Sequence, residues 1–309
     1  MPVSFPAIPA MVSASPPVPR PLVTGASGFV GSALIARLGP CATLAMASSG
    51  WREAATACDF RGATVIHLAA RVHEPDGQPD SFESDNVDKT RALAEMAAAG
   101  GAVRFVFAST VKVFGEESGA RPFTANDAAQ PEDAYARSKW HAEQALREVA
   151  ARTGLQVVVV RIPLTYGPGV AGNFAALVRA ADTGWWLPLD GIANRRSLVH
   201  VDDLVAALVL AATHPDAAGR TLLAAHPEPI ATPRLVESIR SALGRPRRLF
   251  AVPPGLLEAG ATLFGQGARV RRLTRSLEMD PSAFMRDLGW SPRVGLDAGL
   301  ASWLGRRRA

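Results

Sequence analysis

A chain of 309 residues, 48% of them hydrophobic, can bury a large core, enough for one large α/β domain or a domain with a smaller lobe. Its two cysteines, Cys41 and Cys58, are too few for a disulfide framework and form no C-x-x-C pair; this argues against a secreted scaffold or a metal site and leaves a reducing cytoplasm as the expected compartment. The formal charge of +5 is scattered apart from Arg306-Arg307-Arg308, which favours anionic small molecules over nucleic acid, and no apolar run approaches the roughly 20 residues needed to insert across a bilayer.

The first twenty residues, MPVSFPAIPAMVSASPPVPR, are proline-rich and lack a basic start followed by an apolar core, so they read as a mobile arm rather than a signal peptide. From residue 21 to 163, short apolar runs alternate with helical stretches, the pattern of βαβ units and a parallel sheet. Strands are expected at Pro21 to Thr24, Ala42 to Met46, Thr64 to Leu68, Arg104 to Ser109 and Gln156 to Ile162, with helices at Ser32 to Leu38, Val87 to Ala98 and Asp133 to Thr153. After Pro163, Gly, Pro and Trp cluster in TYGPGVAGNF and TGWWLPLDGIANRR, as in loops that contact substrate at the carboxyl edge of a sheet. Residues 164–309 are therefore expected to form mainly a substrate-binding lobe, with strands and helices returning to the core. Helices are expected there at Asp202 to Thr213, Pro233 to Leu243 and Pro254 to Phe264, and a strand at Arg247 to Val252.

Gly25-Ala26-Ser27-Gly28-Phe29-Val30-Gly31 follows the first strand and opens a helix, giving G-x-x-G-x-x-G. Glycine permits the tight turn, lets backbone N–H groups approach a pyrophosphate and lets the helix pack on the strand, so the loop reads as a dinucleotide site rather than an empty glycine turn. The second strand runs into Ala47-Ser48-Ser49-Gly50-Trp51-Arg52 with no acid for a ribose 2′-hydroxyl. Ser48 and Arg52 suit a 2′-phosphate, which leans the choice between NAD and NADP toward NADP; ordinary loop residues would look the same.

Tyr135-Ala136-Arg137-Ser138-Lys139 places a phenol and an ammonium four residues apart on one helix face. A nearby cation stabilises the phenolate, so Tyr135 can take a proton from an alcohol as hydride leaves, or return one in reverse. Thr110, at the end of the preceding strand, can orient the reacting oxygen. Strand-end capping is the bland alternative for Thr110, and a solvated helix face for Tyr135 and Lys139. Taken together with the glycine loop, these residues point to hydride transfer at a carbinol or carbonyl carbon.

These residues, with VIHLAARVH, Asn86-Val87-Asp88-Lys89-Thr90, FVFASTVKVFGE, AYARSKW, RIPLTYGPG and RRSLVHVDDL in order, resemble the extended short-chain dehydrogenase/reductase family in its nucleotide-sugar epimerase/dehydratase branch, over roughly residues 21 to 300. The resemblance implies a Rossmann-type, doubly wound parallel α/β sheet with a smaller C-terminal lobe. It implies cofactor contacts from Gly25, Ser27, Gly28, Phe29, Val30, Leu68, Ala69, Ala70 and Pro163, with Tyr135 and Lys139 reaching the nicotinamide side, and a catalytic set of Thr110, Tyr135 and Lys139. It also implies a UDP-sugar substrate held by Lys112, Asn173, Arg196 and Arg272, with Arg275 a further phosphate candidate, and is compatible with a homodimer. A turn role for Asn173 and a surface role for Arg196 are the alternatives.

The likeness is to UDP-glucose 4-epimerase-like proteins, including reductases of UDP-4-keto-sugars for O-antigen. A C4 reductase is the leading expectation, a 4-epimerase the alternative, and a non-catalytic dinucleotide sensor the reading from another class. A dehydratase is disfavoured because Thr110 is followed by Val111-Lys112 where an Asp-Glu pair is expected. Two departures stand out: only 35 residues separate Gly31 from His67, which compresses the adenine-side strand into Ala57-Cys58-Asp59-Phe60 and leaves Asp59 as the adenine contact, and Phe114 replaces the family's Tyr or Asn, with the sugar pocket the expected place of its effect.

Overall fold

The computed structural model describes residues 17–72 and 79–305. In chain order the elements are β1 (Pro21–Thr24), α1 (Phe29–Leu38), β2 (Ala42–Leu44), α2 (Trp51–Thr56), β3 (Thr64–His67), α3 (Pro79–Glu83), α4 (Lys89–Ala99), β4 (Arg104–Thr110), α5 (Ala134–Thr153), β5 (Gln156–Ile162) and β6 (Leu164–Tyr166). They continue with α6 (Gly172–Asp182), β7 (Leu198–His200), α7 (Val201–Thr213), β8 (Thr221–Leu223), α8 (Thr232–Ala242), α9 (Pro254–Leu263), α10 (Gly267–Thr274), α11 (Ser282–Leu288) and α12 (Leu296–Leu304). A π turn, Ser84–Asp88, leads into α4, and a 3-10 turn, Val111–Phe114, follows β4.

Six strands pair in parallel in the order β2-β1-β3-β4-β5-β8, the Rossmann-type arrangement expected. Side chains alternate across the pleat. Leu22, Val65, Phe105, Phe107, Val157 and Val159 pack against α4 and α5 through Leu93, Ala97 and Leu146. Val23, Ile66, Val106, Val158 and Val160 face the other side, against Leu34 of α1 and Leu204 and Leu208 of α7. Each layer buries apolar side chains on the order of 1.5–3 kcal/mol apiece, which is why these strands carry few polar residues.

The chain turns from one half of the sheet to the other between β1 and β3, and the glycine loop lies at that switch point, where ligands of open α/β sheets bind. A second cluster, Tyr166, Phe174, Val236, Ile239, Leu300 and Trp303, joins α6, α8 and α12 beside the two-stranded β6-β7 sheet. Between these, α7 and β8 return to the main sheet, with Arg161 paired in register with Leu223.

Several boundaries differ from expectation. Of the predicted arm, residues 1–16 lie outside the described residues, and 17–20 already belong to the fold: Val18 is buried in the core, and the Thr64 N–H donates to the Pro19 and Arg20 carbonyls. β2 stops at Leu44 because it is an edge strand with Ala42 and Thr43 exposed, not a strand covered on both faces. No strand forms at residues 57–60, which complete the turn between α2 and β3. Arg247 to Val252 is not a strand; it makes one bridge, Leu187 to Leu249.

Candidate active site

The carboxyl edge of β1 is shaped by glycine. Gly25 has φ +70°, and a Cβ there would sit 2.7 Å from the Ala69 nitrogen; a Cβ on Gly31 would meet the Gly25 carbonyl at 2.0 Å. These two positions exclude a side chain on steric grounds. At Gly28 the only neighbour is the Gly25 carbonyl at 3.3 Å, and Ser27 and Gly28 face solvent. Gly28 caps α1 without a side-chain hydrogen bond, and the first turn carries no acid. The helix thus opens with unsatisfied N–H donors and the positive end of its dipole, a cradle that fits a dinucleotide pyrophosphate.

The next strand end is tied to this loop. The Ala69 N–H donates to Thr24 Oγ1 at 3.2 Å, and the Leu68 N–H to the Thr24 carbonyl at 3.2 Å, which brings the predicted Leu68-Ala69-Ala70 segment against Gly25. Beneath them, His67 is fully buried between Thr24 Oγ1 (2.7 Å) and Thr90 Oγ1 (2.9 Å). Burial, reinforced by the Lys139 charge, pushes the His67 imidazole down to about 3. It is therefore a neutral structural link between β1, β3 and α4.

Helix α5 carries the candidate acid/base pair. Its start is fixed by Asp133, whose Oδ1 accepts from the Ala136 N–H at 2.7 Å. Ser138, between Tyr135 and Lys139, donates to the Tyr135 carbonyl and accepts from Asn86 Nδ2 at 2.9 Å; Asn86 also exchanges hydrogen bonds with the Arg71 backbone. The NVD segment read as a helix start thus pins α5 through a buried amide, and the π turn supplies the geometry.

Lys139 is 2% exposed, and its ammonium lies 3.9 Å from the Phe107 ring centroid. Burial lowers it to about 7, against the pull of the Glu143 carboxylate. Burial, with the Asp133 charge, raises the Tyr135 phenol above its ordinary value, so the proton resides on Tyr135. Thr110, nearly buried, closes β4, one residue later than expected, and its hydroxyl accepts from the Lys112 N–H at 3.3 Å. Thr110 pairs in register with Ile162, which brings Pro163 to the same edge.

Behind these residues lies a buried network that sequence reasoning missed. Ser109 Oγ donates to Glu143 Oε1 at 2.5 Å, and Arg161 grips Glu143 through Nη2 at 2.7 Å and Nε at 3.1 Å. Glu143 lies one helical turn beyond Lys139, and Ser109 immediately precedes Thr110. The spacing Tyr135, Lys139, Glu143 was its only signal.

The substrate candidates divide. Lys112, the expected substrate contact, is held by Asp133 and Glu116, so its ammonium braces the start of α5 against the turn after β4. Arg196 is half-buried and donates to the Arg275 carbonyl at 3.0 Å; burial lowers its proton affinity, Glu116 raises it, and the Arg272 charge lowers it further. Arg272 also acts on Asp133. Arg272 thus lies within electrostatic range of both Arg196 and Asp133, the cap of α5. Arg275 is committed to Glu258 and Glu117. Asn173 is exposed in the first turn of α6, anchored by fully buried Phe174. Phe114 is a core residue, stacked on Phe123 at 4.7 Å and under the Arg161 guanidinium at 4.4 Å.

At the adenosine end, Ser48 is exposed, and exposed Arg52 lies over the buried Trp51 ring at 4.8 Å. Two residues missed from sequence join them: Lys89, whose ammonium donates to the Met46 carbonyl at 3.2 Å and pairs with Asp85, and Glu53, which folds back beside Gly50. Asp59 is a correction. It pairs with Arg20 at 2.6 Å, before β1 begins, and so lies at the amino edge, opposite the glycine loop.

Residues 21–224 match the NAD dependent epimerase/dehydratase family. A UDP-glucose 4-epimerase of Vibrio cholerae is 36% identical over 242 residues, covering 76% of this chain and 74% of its own. Two solved structures share the fold: UDP-glucose 4-epimerase of Thermotoga maritima with UDP-glucose (TM-score 0.73, 22% identity, 93% and 98% of the two chains) and a dTDP-glucose 4,6-dehydratase of Streptomyces venezuelae with NAD and TYD bound (0.74, 24%, 94% and 97%).

Proposed function

The chain belongs to the NAD dependent epimerase/dehydratase family, as an NAD(P)-dependent enzyme of the extended short-chain dehydrogenase/reductase type, and we propose that it reduces the C4 ketone of a UDP-activated sugar for surface polysaccharide synthesis. The observation that carries this reading is the placement of a protonated Tyr135, beside Lys139, on the helix whose Asp133 cap is within electrostatic reach of Arg272 and, beyond it, Arg196. Two guanidiniums that raise each other's energy suit a diphosphate, which relieves the repulsion and accepts their forked donors.

When bound, the dinucleotide supplies the hydride. Thr110 orients the substrate oxygen, and the Tyr135 hydroxyl donates its proton as charge develops there. The Lys139 ammonium stabilises the resulting phenolate. Arg52 in α2, and Lys89, whose ammonium reaches the Met46 carbonyl just past β2, favour a cofactor with a 2′-phosphate.

A 4-epimerase is the second reading, favoured by the name of the Vibrio cholerae relative and by Glu53 beside Gly50. The test is to incubate purified protein with a UDP-4-keto-sugar and, separately, UDP-glucose, each with NADPH or NADH. Stoichiometric loss of reduced cofactor with the keto-sugar supports the reductase. Interconversion of UDP-glucose and its C4 epimer without net cofactor consumption overturns it in favour of the epimerase. Arg52→Glu is expected to lower the NADPH-to-NADH preference about tenfold, the loss of one charge-assisted contact.

A further inference from the structure

Helix α9 contains no buried residue, although it is mostly apolar. Its inner face is nevertheless firmly held. Glu258 accepts from Thr274 Oγ1 at 2.6 Å and from the Arg275 guanidinium at 3.1 and 2.9 Å. The hairpin into α10 is tight: Gly265 takes φ +69°, and a Cβ on Gly267 would meet Thr262 Oγ1 at 2.6 Å. With Glu258 facing inward, residues at i, i+3 and i+7 from Leu256 face outward. These are Leu256, Ala259 and Leu263, followed by Phe264; Leu256 is 66%, Leu263 85% and Phe264 81% exposed.

Two further exposed aromatics are close in the fold. Trp185 and Trp186, 77% and 62% exposed, precede Leu187, which exchanges backbone hydrogen bonds with Arg248 and Phe250, four residues before α9 begins. Their backbone is secured by fully buried Arg240, which donates to the Trp185 carbonyl at 2.6 Å, and by Arg248, which donates to Gly184. Scattered apolar side chains on a surface are ordinary; five large ones held outward on braced backbone are not. Beside them α10 adds Arg269 and Arg271, neither of which forms an ion pair among the described residues.

We propose that the α9-α10 hairpin, with Trp185 and Trp186, is a docking surface for an anionic lipid bilayer. Leucine, phenylalanine and tryptophan side chains enter the interfacial layer, and the arginines meet lipid phosphates. No described helix is long and apolar enough to cross a membrane, so the chain lies on the surface. A second copy is the poorer occupant, because a two-fold contact through this face would crowd the Arg269 and Arg271 charges of both copies into one patch. The hairpin also reaches the cleft, through Arg272 and the hydrogen bond from Arg196 to the Arg275 carbonyl, so docking would orient the mouth of the site toward the bilayer.

The test needs neither cofactor nor sugar. Full-length protein is floated with vesicles of phosphatidylcholine alone and of phosphatidylcholine with phosphatidylglycerol, at low and high salt. Flotation with the anionic vesicles alone, weakening with salt and accompanied by a blue shift of tryptophan emission, is expected. Leu263→Ser/Phe264→Ser should reduce the floated fraction at least tenfold with an unchanged thermal melt, and Arg269→Glu/Arg271→Glu should reduce it on anionic vesicles. The proposal is overturned by failure to float with phosphatidylglycerol, or by flotation that Leu263→Ser/Phe264→Ser leaves unchanged. It is equally overturned if the wild type does not float and elutes as a dimer that this variant converts to monomer, which would make the face a contact between copies.

Discussion

Replacing Glu143 with Gln should damage both stability and the pH dependence of turnover, for reasons that can be measured separately. Glu143 is fully buried and Arg161 is 2% exposed, and the carboxylate is the only acid paired with that guanidinium among the described residues. Arg161 Nη1 already lacks a hydrogen-bond partner. Gln keeps the shape but leaves the cation uncompensated, and breaking a buried pair from one side costs about 3–5 kcal/mol. Residues four apart on a helix are about 6 Å apart, and unit charges at that distance with an effective dielectric near 20 interact by roughly 3 kcal/mol. Glu143 therefore favours the charged form of Lys139, and the Arg161 guanidinium bound to the same carboxylate should offset part of the effect. Losing it should move the loss of the Lys139 charge downward from about 7, and the basic limb of kcat with it, by about one pH unit. Urea denaturation reads the first effect and a pH–rate profile the second; Glu143→Met/Arg161→Met should regain much of the stability but not the pH profile. A Glu143→Gln protein within 1 kcal/mol of wild type, with an unmoved basic limb, would refute the reasoning.

Tyr135→Phe should lower kcat by about 10²–10⁴ while cofactor binding, followed by fluorescence titration, stays nearly constant; retention of half the turnover would remove Tyr135 from the chemistry. Arg196→Leu should raise KM for a UDP-sugar on the order of ten- to a hundredfold with cofactor affinity unchanged, and an unaltered KM would sink its assignment to the diphosphate. His67 makes stability depend on acid: it is protonated below about 6.5 when unfolded but only below about 3 when folded, so stability present above the first value is lost as pH falls toward the second. The slope is about 1.4 kcal/mol per pH unit, and urea midpoints measured between about pH 6 and 4 should fall less steeply for His67→Gln than for wild type. Equal slopes would mean that His67 titrates normally in the folded protein.

The central strands and α5 were legible because burial on both faces leaves an uninterrupted apolar run, and because α5 has an Asp133 cap and a long Ala-rich body. Glycine spacing likewise carried the loop, since Gly25 and Gly31 are positions where sterics admit nothing larger. What escaped were features that depend on partners distant in sequence. Lys112 looked free until Asp133, twenty-one residues away, was brought beside it. The Glu143-Arg161 pair joins a helix to a strand, and neither residue announces burial in a chain where most charges are exposed. β6, β7 and β8 are only three residues each, too short for periodicity to register.

Asp59 was misplaced for a topological reason that the sequence already contained. In a parallel sheet the chain leaves each strand at the carboxyl edge and crosses back to the amino edge before the next begins. With α2 intervening between β2 and β3, and no strand between them, any residue shortly before Thr64 must lie at the amino edge; the Arg20-Asp59 pair is the outcome. The shortened segment therefore leaves no later strand end to supply an acid, and makes β2 the edge of the sheet. On the proposed reading, recognition of the adenosine ribose then falls to the turn after β2 and to side chains that reach it from elsewhere. Arg52 and Lys89 bring positive charge to that turn and Glu53 a single negative one, while Asp85 already engages Lys89. On the proposed reading, the balance between Arg52 and Glu53, adjacent in the first turn of a six-residue helix, sets the choice between the two nicotinamide cofactors, which Arg52→Glu tests.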